Sequence, residues 1–295
     1  MKRRFFALLA FAAILQSGCV SVSQVPIRVG SYNIRWSPGD KGTPNAWEYR
    51  KGDLVNFVKE LDLDIFGMQE VCPDQAQYLR ENLPDFDFVG EHREADRVSG
   101  EASPVCYRKS RFEILKKGTF WLSECPETPG LKGWDAACPR VCSYLVLKDR
   151  ITGRPFGFAN THTDHISELA RVEGVKLIMK RMEEFGGRAP VVFTGDHNCR
   201  YDDEPAKAVR RKLKDARDIA ESSPKGPRNT FQGFGRYEDG PVDVNGIRYA
   251  DYCIDYIYVS DGVRVLDFET HDRKRRGTDL YPSDHYPISA TIVLP

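Results

Sequence analysis

The sequence has no excess charge of either sign and no hydrophobic run long enough to cross a membrane. Its 43 Lys and Arg residues balance 43 Asp and Glu residues, so no overall field draws the chain to a polyanion. Nucleic acid is therefore possible as a partner but is not favoured by net charge. The apolar run over residues 5–15 is shorter than the ~20 residues that a spanning helix needs, which argues against a transmembrane anchor.

Cysteine is too sparse to form a disulfide framework. Seven cysteines remain when Cys19 is set aside, and an odd number spread thinly over the chain is not a bridged scaffold. Cys138 and Cys142 lack the second pair that a structural zinc site would need. We expect most of these cysteines to be small buried residues, with at most one disulfide.

The chain also has no internal repeat and no low-complexity tract. At 295 residues with 41% hydrophobic content, it can bury one sizeable core, and its length does not require a second domain. We predict a single catalytic domain over residues 27–295 and a monomer.

The N-terminus has the pattern of an export signal, with a basic stretch at residues 2–4 before the apolar run and small residues after it. We predict a signal peptide over residues 1–18. Cys19, directly after Ser17 and Gly18, resembles the cysteine of a bacterial lipobox, although Gln16 stands where that pattern usually has Leu. We predict that Cys19 is lipidated, that residues 19–26 form a tether, and that the chain is anchored to a bacterial membrane facing the periplasm or exterior. The alternative is ordinary signal cleavage and a soluble exported protein.

Hydrophobic periodicity predicts helices over residues 47–60, 73–82 and 167–185. Strands are predicted over residues 27–34, 63–68, 86–90, 103–107, 112–120, 142–147, 156–162, 190–194, 253–259, 263–269 and 286–293. Helices separate some strands, whereas other strands follow one another directly, so the sheets must be mixed. The predicted fold class is an α/β sandwich.

Polar residues recur at the ends of these strands, and one rim of the sheets would collect them. They are Asn33, Glu70, His162, Asp196, Asp255, Asp284 and His285.

Taken singly, most of these residues have ordinary explanations. Asn33 can turn the chain after its strand, and Asp196 can belong to a Gly-Asp turn. His162 and His165 can be polar loop residues, and zinc is disfavoured because no third nearby His or Cys completes a site. Glu70 follows an otherwise apolar strand and must be exposed at the sheet edge or paired.

In combination the motifs are specific. Ser-Tyr-Asn, Gln-Glu, Asn-Thr-His, Gly-Asp-x-Asn, Ile-Asp-Tyr-Ile and Ser-Asp-His, in this order, resemble the motif series of the endonuclease/exonuclease/phosphatase superfamily. The segments at residues 118–123 and 133–140 are similar to those of its bacterial exported members. The resemblance implies the deoxyribonuclease I-like fold, a four-layer sandwich of two mixed β-sheets flanked by helices. Two positions depart from the family pattern, since His197 replaces the usual Phe and Thr163 the usual Leu.

The resemblance also implies site roles. Glu70, with Asn33 and Asp284, would hold Mg²⁺, a hard cation that prefers oxygen ligands, and Mn²⁺ is a possible substitute. The proposed catalytic residues follow from the same motifs. Asp196 and Asn198 would position water and phosphate, His285 oriented by Asp255 would act as base or contact the phosphate, and His162 would donate to a phosphate oxygen or the leaving group, with Glu101 as its candidate carboxylate partner.

Specificity residues are less clearly marked. Arg35, Tyr107 and Arg108 lie near motif segments and are predicted to bind substrate. Trp121 and Trp134 are further candidates, but large aromatics more often belong to the core. The basic run at residues 273–276 could grip an anion or form a solvated loop.

The sequence thus predicts a Mg²⁺-dependent enzyme that hydrolyses a phosphodiester or phosphomonoester outside the cytoplasm. The alternative is a non-catalytic lipoprotein that uses the same fold as a binding module. The sequence does not choose among nucleic acid, phospholipid head group, sugar phosphate and nucleotide as substrate.

Overall fold

A computed structural model describes residues 25–237, 242, 246, 248 and 252–295. The predicted signal peptide, Cys19 and most of the tether lie outside the described residues. Within the described part of the chain, no helix is long and apolar enough to cross a membrane. The seven cysteines found there are all free thiols.

The elements alternate between strands and helices at first and then include a run of strands. The helices are α1 (Trp47–Leu61), α2 (Pro73–Asn82), α3 (Glu168–Gly186), α4 (Glu204–Arg210) and α5 (Ala216–Ile219). The strands are β1 (Ile27–Asn33), β2 (Ile65–Gln69), β3 (Phe86–Val89), β4 (Val105–Arg108), β5 (Phe112–Trp121), β6 (Val141–Asp149), β7 (Pro155–His162), β8 (Val191–Asp196), β9 (Lys214–Asp215), β10 (Asp255–Val259), β11 (Arg264–Thr270) and β12 (Ile288–Val293).

The strands form two six-stranded sheets. The first has the order β11-β12-β1-β2-β4-β3, and the second has the order β5-β6-β7-β8-β10-β9. In each sheet one central pair is parallel, β1 with β2 and β7 with β8, and the neighbouring ladders are antiparallel. The prediction of two mixed sheets is confirmed.

Alternation along the strands decides which side chains face each layer. In β1, Ile27 and Val29 pack between the two sheets, whereas Tyr32 packs against the outer helices α1 and α2. In β7, Phe158 faces the inter-sheet core and Ala159 faces α3. Because residues one apart on a strand point to opposite faces, each sheet is covered on both sides. The result is the predicted four-layer sandwich, with helices outside and sheets inside.

Helix boundaries follow from local chemistry. The Ser167 side chain accepts a hydrogen bond from the Ala170 amide at 3.1 Å and so caps the start of α3. Helix α1 ends at Leu61, and the next residue, Asp62, adopts the left-handed conformation with φ of 47°. The sequence analysis missed α4, β9 and α5, because these elements have seven residues or fewer and their periodicity is too short to detect.

The topology brings the polar strand ends to one rim. β1 and β2 run parallel, so Asn33 and Gln69 are directly paired at their carboxyl ends. β7 and β8 likewise pair His162 with Asp196. β10 runs antiparallel to β8, which places Asp255, its first residue, beside Asp196. β12 runs antiparallel to β1, so the segment before it returns to the same rim.

Candidate active site

Asn33 connects the two sheets at the centre of this rim. Its Nδ2 donates to Glu70 Oε1 at 3.0 Å and to Asp196 Oδ2 at 2.9 Å. Glu70 Oε2 accepts a second hydrogen bond from the Trp36 amide at 2.8 Å. Burial opposes ionisation of Glu70, but the bonds from Asn33 and Trp36 and the nearby positive charges hold its pKa below the usual range. Glu70 is therefore a partly buried carboxylate that stays charged.

Three non-glycine residues of the cleft adopt left-handed backbone conformations, which are costly for residues with a Cβ. They are Arg35, Glu70 and Asn198, with φ of 57°, 63° and 45°. Such a strained backbone conformation persists only where packing and hydrogen bonds of the surrounding structure hold it in place. Here it turns each side chain abruptly after its strand, so that all three face the cleft.

A buried arginine holds two of these loops together. The guanidinium of Arg50, which is fully buried, donates to the carbonyl oxygens of Ile34 at 2.5 Å, Arg35 at 2.6 Å and Pro282 at 3.1 Å. This links α1 to the loop after β1 and to the loop before Asp284. Since five donors in a rigid plane satisfy several carbonyls at once, Lys could not replace this side chain.

Beneath the site, a buried amide joins the sheets. Asn160 Nδ2 donates to Met68 O at 2.7 Å, and its Oδ1 accepts from Gln69 Nε2 at 2.7 Å and from Thr194 Oγ1 at 3.1 Å. Met68 and Gln69 precede Glu70, and Thr194 lies two residues before Asp196. The sequence analysis did not identify this residue, although it stands in the Asn-Thr-His motif.

Asp255 and His285 form a close charged pair, with His285 Nδ1 at 2.8 Å from Asp255 Oδ2. The other ring nitrogen, Nε2, lies 3.6 Å from Asp196 Oδ2. Burial alone would lower the pKa of His285, but the two carboxylates raise it to about 10. The imidazole is therefore held as the cation, with its orientation set by Asp255.

Asp196 lies between His162 and His285, and its environment favours the uncharged form of the carboxyl group. Burial and the neighbouring Asp255 raise its pKa to about 7, while His285 and hydrogen bonds from Asn198 and Asn33 act against that rise. This carboxylate exchanges its proton near neutral pH, which is the property of an efficient general base.

His162 is neutral. Asn198 Nδ2 lies 2.9 Å from His162 Nε2, so the amide donates and the ring nitrogen accepts. Burial and the nearby Arg140 lower the pKa of His162 well below its usual value. Its Nδ1 lies 3.9 Å from Glu101 Oε2, beyond hydrogen-bond distance but consistent with the expected carboxylate neighbour.

The donor set fits a hard divalent cation. Asp196 and Asp284 are buried carboxylates, Glu70 is a partly buried one, and all three line the cleft. Ligand atoms of Glu70, His162 and Asp196 all lie within 4.8 Å of one another. Burial and the charge of Glu70 raise the pKa of Asp284, while His285, Arg35 and Arg50 act against that rise. A cation bound to these carboxylate oxygens would stabilise their ionised forms. Asn33 directs its Nδ2 at Glu70 and Asp196, and its Oδ1 accepts from the Arg35 amide at 3.0 Å.

The structure places Arg35 at the cleft, with its Nη1 3.6 Å from Asp284 Oδ2. It does not place Tyr107 and Arg108 there. Both lie at the opposite end of the first sheet, where Tyr107 donates to Asp87 at 3.0 Å and Arg108 donates to Asp62 at 2.9 Å. The prediction that they bind substrate is corrected, because β4 runs antiparallel to β2 and carries its end away from the rim.

Two other groups also lie away from the cleft. Trp121 is buried, and its Nε1 donates to Arg93 O at 2.6 Å. The basic run at residues 273–276 packs on α1, where Arg275 pairs with Asp53 at 3.1 Å and Arg276 with Glu60 at 2.8 Å. These arginines are neutralised by neighbouring carboxylates.

The cleft itself has a volume of about 640 Å³. Besides the expected residues, its lining includes Trp36, Phe231, Arg93 and Arg140. Arg140 ends the segment 133–140, and the resemblance of that segment to a known family was the available signal for it. Arg93 has no such motif and could be found only from the tertiary structure.

His197 is not part of the proton-transfer chemistry. It is fully buried, packs against Phe193 and Tyr258, and neither ring nitrogen has a partner among the described residues. Burial lowers its pKa to about 3. The neutral ring therefore packs as an aromatic core residue, as the Phe of the family pattern would.

Substitution His197→Phe is expected to raise the free energy of unfolding by about 1–3 kcal/mol, because it removes buried polar atoms that lack partners. An unfolded histidine takes up a proton near pH 6.5, whereas the folded one does so only near pH 3. The wild type therefore loses about 1.4 kcal/mol per pH unit relative to the variant as pH falls from about 6.5. Denaturant unfolding at pH 7.5 and pH 5.5 measures both effects. A pH-independent difference between the two proteins would contradict the assignment.

The sequence model of the Endonuclease/Exonuclease/phosphatase family matches residues 30–285. An endonuclease/exonuclease/phosphatase from Bacteroides vulgatus has 34% sequence identity and a TM-score of 0.84, covering 92% of this chain and 100% of that chain. A mannosyl-6-phosphatase from Bacteroides thetaiotaomicron has 34% identity and a TM-score of 0.79, covering 90% of this chain and 99% of that chain.

Curated relatives are more distant. Human tyrosyl-DNA phosphodiesterase 2 is 22% identical over 171 residues, 57% of this chain and 41% of that protein. The match to an uncharacterized mimivirus protein covers 30% of that protein, so the chain spans less than half the length of these two relatives. The family match, which includes all six motif groups, and the Bacteroides structures show that this chain belongs to the endonuclease/exonuclease/phosphatase family.

Proposed function

We propose that this chain is an exported, Mg²⁺-dependent phosphomonoesterase that hydrolyses a soluble sugar phosphate. The observation that carries the proposal is the row of His162, Asp196 and Asp255 on neighbouring strands, with His285 held between the two aspartates. None of the six motif groups is displaced from the rim. The alternative of a non-catalytic binding module gives no reason to keep a charged imidazole beside a carboxylate with a pKa of about 7.

Each side chain has a role that follows from its charge. Asp196 would accept the proton of the attacking water, which Asn198 helps to position. The charged His285 would donate a hydrogen bond to a phosphoryl oxygen, where negative charge must be stabilised. Because His162 Nε2 accepts from Asn198, the proton of the neutral ring lies on Nδ1, and His162 would donate from Nδ1 to the leaving group. Glu70, Asn33 and Asp284 would hold the divalent cation, which when bound neutralises charge on the phosphoryl and leaving-group oxygens.

The choice of a sugar monoester is supported by the mannosyl-6-phosphatase from Bacteroides thetaiotaomicron, which is 34% identical over almost its whole length. The balanced net charge of this chain does not favour a polynucleotide. Phosphate release should be measured with Mg²⁺ on mannose 6-phosphate, p-nitrophenyl phosphate, bis-p-nitrophenyl phosphate and short DNA. We expect the monoesters to be hydrolysed and the diesters to react poorly. Turnover of diesters alone, or of none of these compounds, would refute the proposal.

The position of the tether supports a soluble substrate. β1 begins at Ile27 on the rim opposite the cleft, where Arg111 Nη2 donates to Pro26 O at 2.6 Å. Seven residues, 20–26, separate Cys19 from Ile27, and the eight Cα–Cα steps between these two residues span about 28 Å at most. A lipid on Cys19 would therefore attach the domain by the rim opposite the cleft, which favours a soluble substrate over the head groups of that membrane.

Cys19→Ala is expected to release the protein from the membrane fraction, because a lipidated cysteine is the proposed anchor. Fractionation of cells that express wild type or variant measures this, and Cys125→Ala, at an exposed cysteine, is the matched control. Equal solubility of the wild type and Cys19→Ala would favour ordinary signal cleavage instead.

A further inference from the structure

We propose that Arg140, with Arg93 and Glu101, forms a subsite that recognises the hydroxyl groups of the leaving group, and thus selects a polyol such as a sugar. This inference rests on the proposed phosphomonoesterase function. It concerns the wall of the cleft beyond His162, which the catalytic roles above leave unused.

The position of this wall is set by His162. One nitrogen of the ring, Nε2, faces Asn198 and Asp196 in the centre, and the other, Nδ1, faces Glu101. The guanidinium groups meet on the Glu101 side, with Arg93 Nη1 2.8 Å and Arg140 Nη1 3.8 Å from Glu101 Oε2. They therefore lie one imidazole ring away from the reacting phosphate, which is where the leaving group must extend.

Arg140 is built into the wall but is not saturated with hydrogen bonds. Its side chain is 6% exposed and lines the cleft. Its Nη2 lies 3.0 Å from His165 Nδ1, whereas its Nε is buried with no hydrogen-bond partner among the described residues and lies 3.9 Å from Asp164. Nε cannot be reached from the cleft, but Nη1 lies 3.8 Å from Glu101 Oε2, too far for a hydrogen bond. Unpaired guanidinium donors of a largely buried side chain are costly, so a ligand oxygen is the expected partner of Nη1.

Local charge selects hydroxyl groups over a second anion. Three carboxylates lie within 4 Å of the two guanidinium groups, namely Glu94, Glu101 and Asp164. The Asp164 carboxylate accepts three hydrogen bonds from backbone amides, those of Ala137, Ile166 and Ser167. It therefore holds the loop before α3 in place. A second phosphate would meet more negative than positive charge here. A hydroxyl group can donate to Glu101 and accept from an arginine, so it suits both.

The test compares kcat/KM for mannose 6-phosphate and for p-nitrophenyl phosphate, which lacks hydroxyl groups on its leaving group. Arg140→Met should lower kcat/KM for the sugar phosphate by about 10- to 100-fold, the effect of losing hydrogen bonds from a charged group. That loss should exceed the loss on p-nitrophenyl phosphate by at least tenfold. Arg140→Lys should remain impaired on the sugar phosphate, because a point charge does not reproduce the planar fork. Arg150→Met, at a half-exposed arginine on the rim opposite the cleft, is the matched control.

Equal proportional losses on both esters would show that Arg140 only supports the fold or His162, and would overturn the subsite. A preference of the wild type for a hexose bisphosphate by more than tenfold over the monophosphate would also overturn it. Titration with methyl mannoside separates failure of the subsite from failure of the proposed function, because this ligand needs no turnover. Weaker binding by Arg140→Met than by wild type supports the subsite even if no ester is hydrolysed, and identical or absent binding refutes it. A melting temperature for each variant excludes unfolding as the cause.

Discussion

His285→Ala is expected to lower kcat on a phosphomonoester by roughly 10²- to 10⁴-fold. The lost group is a buried cation that lies 2.8 Å from Asp255 and 3.6 Å from Asp196, and a positioned donor or proton-transfer group contributes about that factor. In free-energy terms the barrier should rise by about 3–5 kcal/mol. Single-turnover rates with saturating Mg²⁺ measure the chemical step directly.

Asp255→Asn should lower the same rate by a comparable or somewhat smaller factor, because the amide neither fixes the charged ring nor raises its pKa. The double variant should be little worse than His285→Ala, since groups that act as a unit are not additive. Multiplying losses would show that Asp255 and His285 act independently. A folded His285→Ala variant with near wild-type turnover would remove this residue from the proposed chemistry. Melting temperatures are needed because Asp255 is buried.

Glu70→Gln is expected to raise the Mg²⁺ concentration for half-maximal activity by at least tenfold. Glu70 is the partly buried carboxylate whose ionised form is stabilised by Asn33 and Trp36, and Gln keeps its size but not its charge. Wild-type activity should disappear with a chelator and return with Mg²⁺ or Mn²⁺, which prefer oxygen ligands.

A second measurement does not depend on turnover. Mg²⁺ should raise the melting temperature of the wild type, because a ligand that binds only the folded state stabilises it by mass action. The shift should be much smaller for Glu70→Gln and unchanged for Glu113→Gln, at a half-exposed carboxylate. Activity that resists the chelator, or that returns with Zn²⁺ alone, would rule out the proposed ligand set.

Acid and base roles illustrate the limit of sequence reasoning. The motifs identify His162 and His285 equally well, because both follow or precede apolar strands. In the fold, His285 lies between two carboxylates and is charged, whereas His162 lies near Arg140 and is neutral. Only the neighbours brought together by the two sheets create this difference.

The sequence also indicated two wrong residues for substrate binding, because it does not report which segments meet in space. Tyr107 and Arg108 are close to motif segments along the chain, yet β4 reverses direction and carries them to the far rim. Arg140 is distant from every catalytic motif in sequence but lines the cleft beside His165. Proximity along a chain does not report proximity in space once antiparallel strands intervene.

The amino-acid sequence was sufficient for the fold class, most of the long elements and the chemical types at the rim. Those features depend on local periodicity, on polar residues that interrupt apolar strands, and on short motifs, all of which are readable within a few residues. Charge states, the Asn160 link between the sheets and the wall formed by Arg93 and Arg140 were decided only by the tertiary structure. They depend on burial and on contacts between residues far apart in sequence, such as Asp255 and His285, 30 positions apart, and Asn33 and Asp196, 163 positions apart, and pKa values respond to those contacts over a few ångströms.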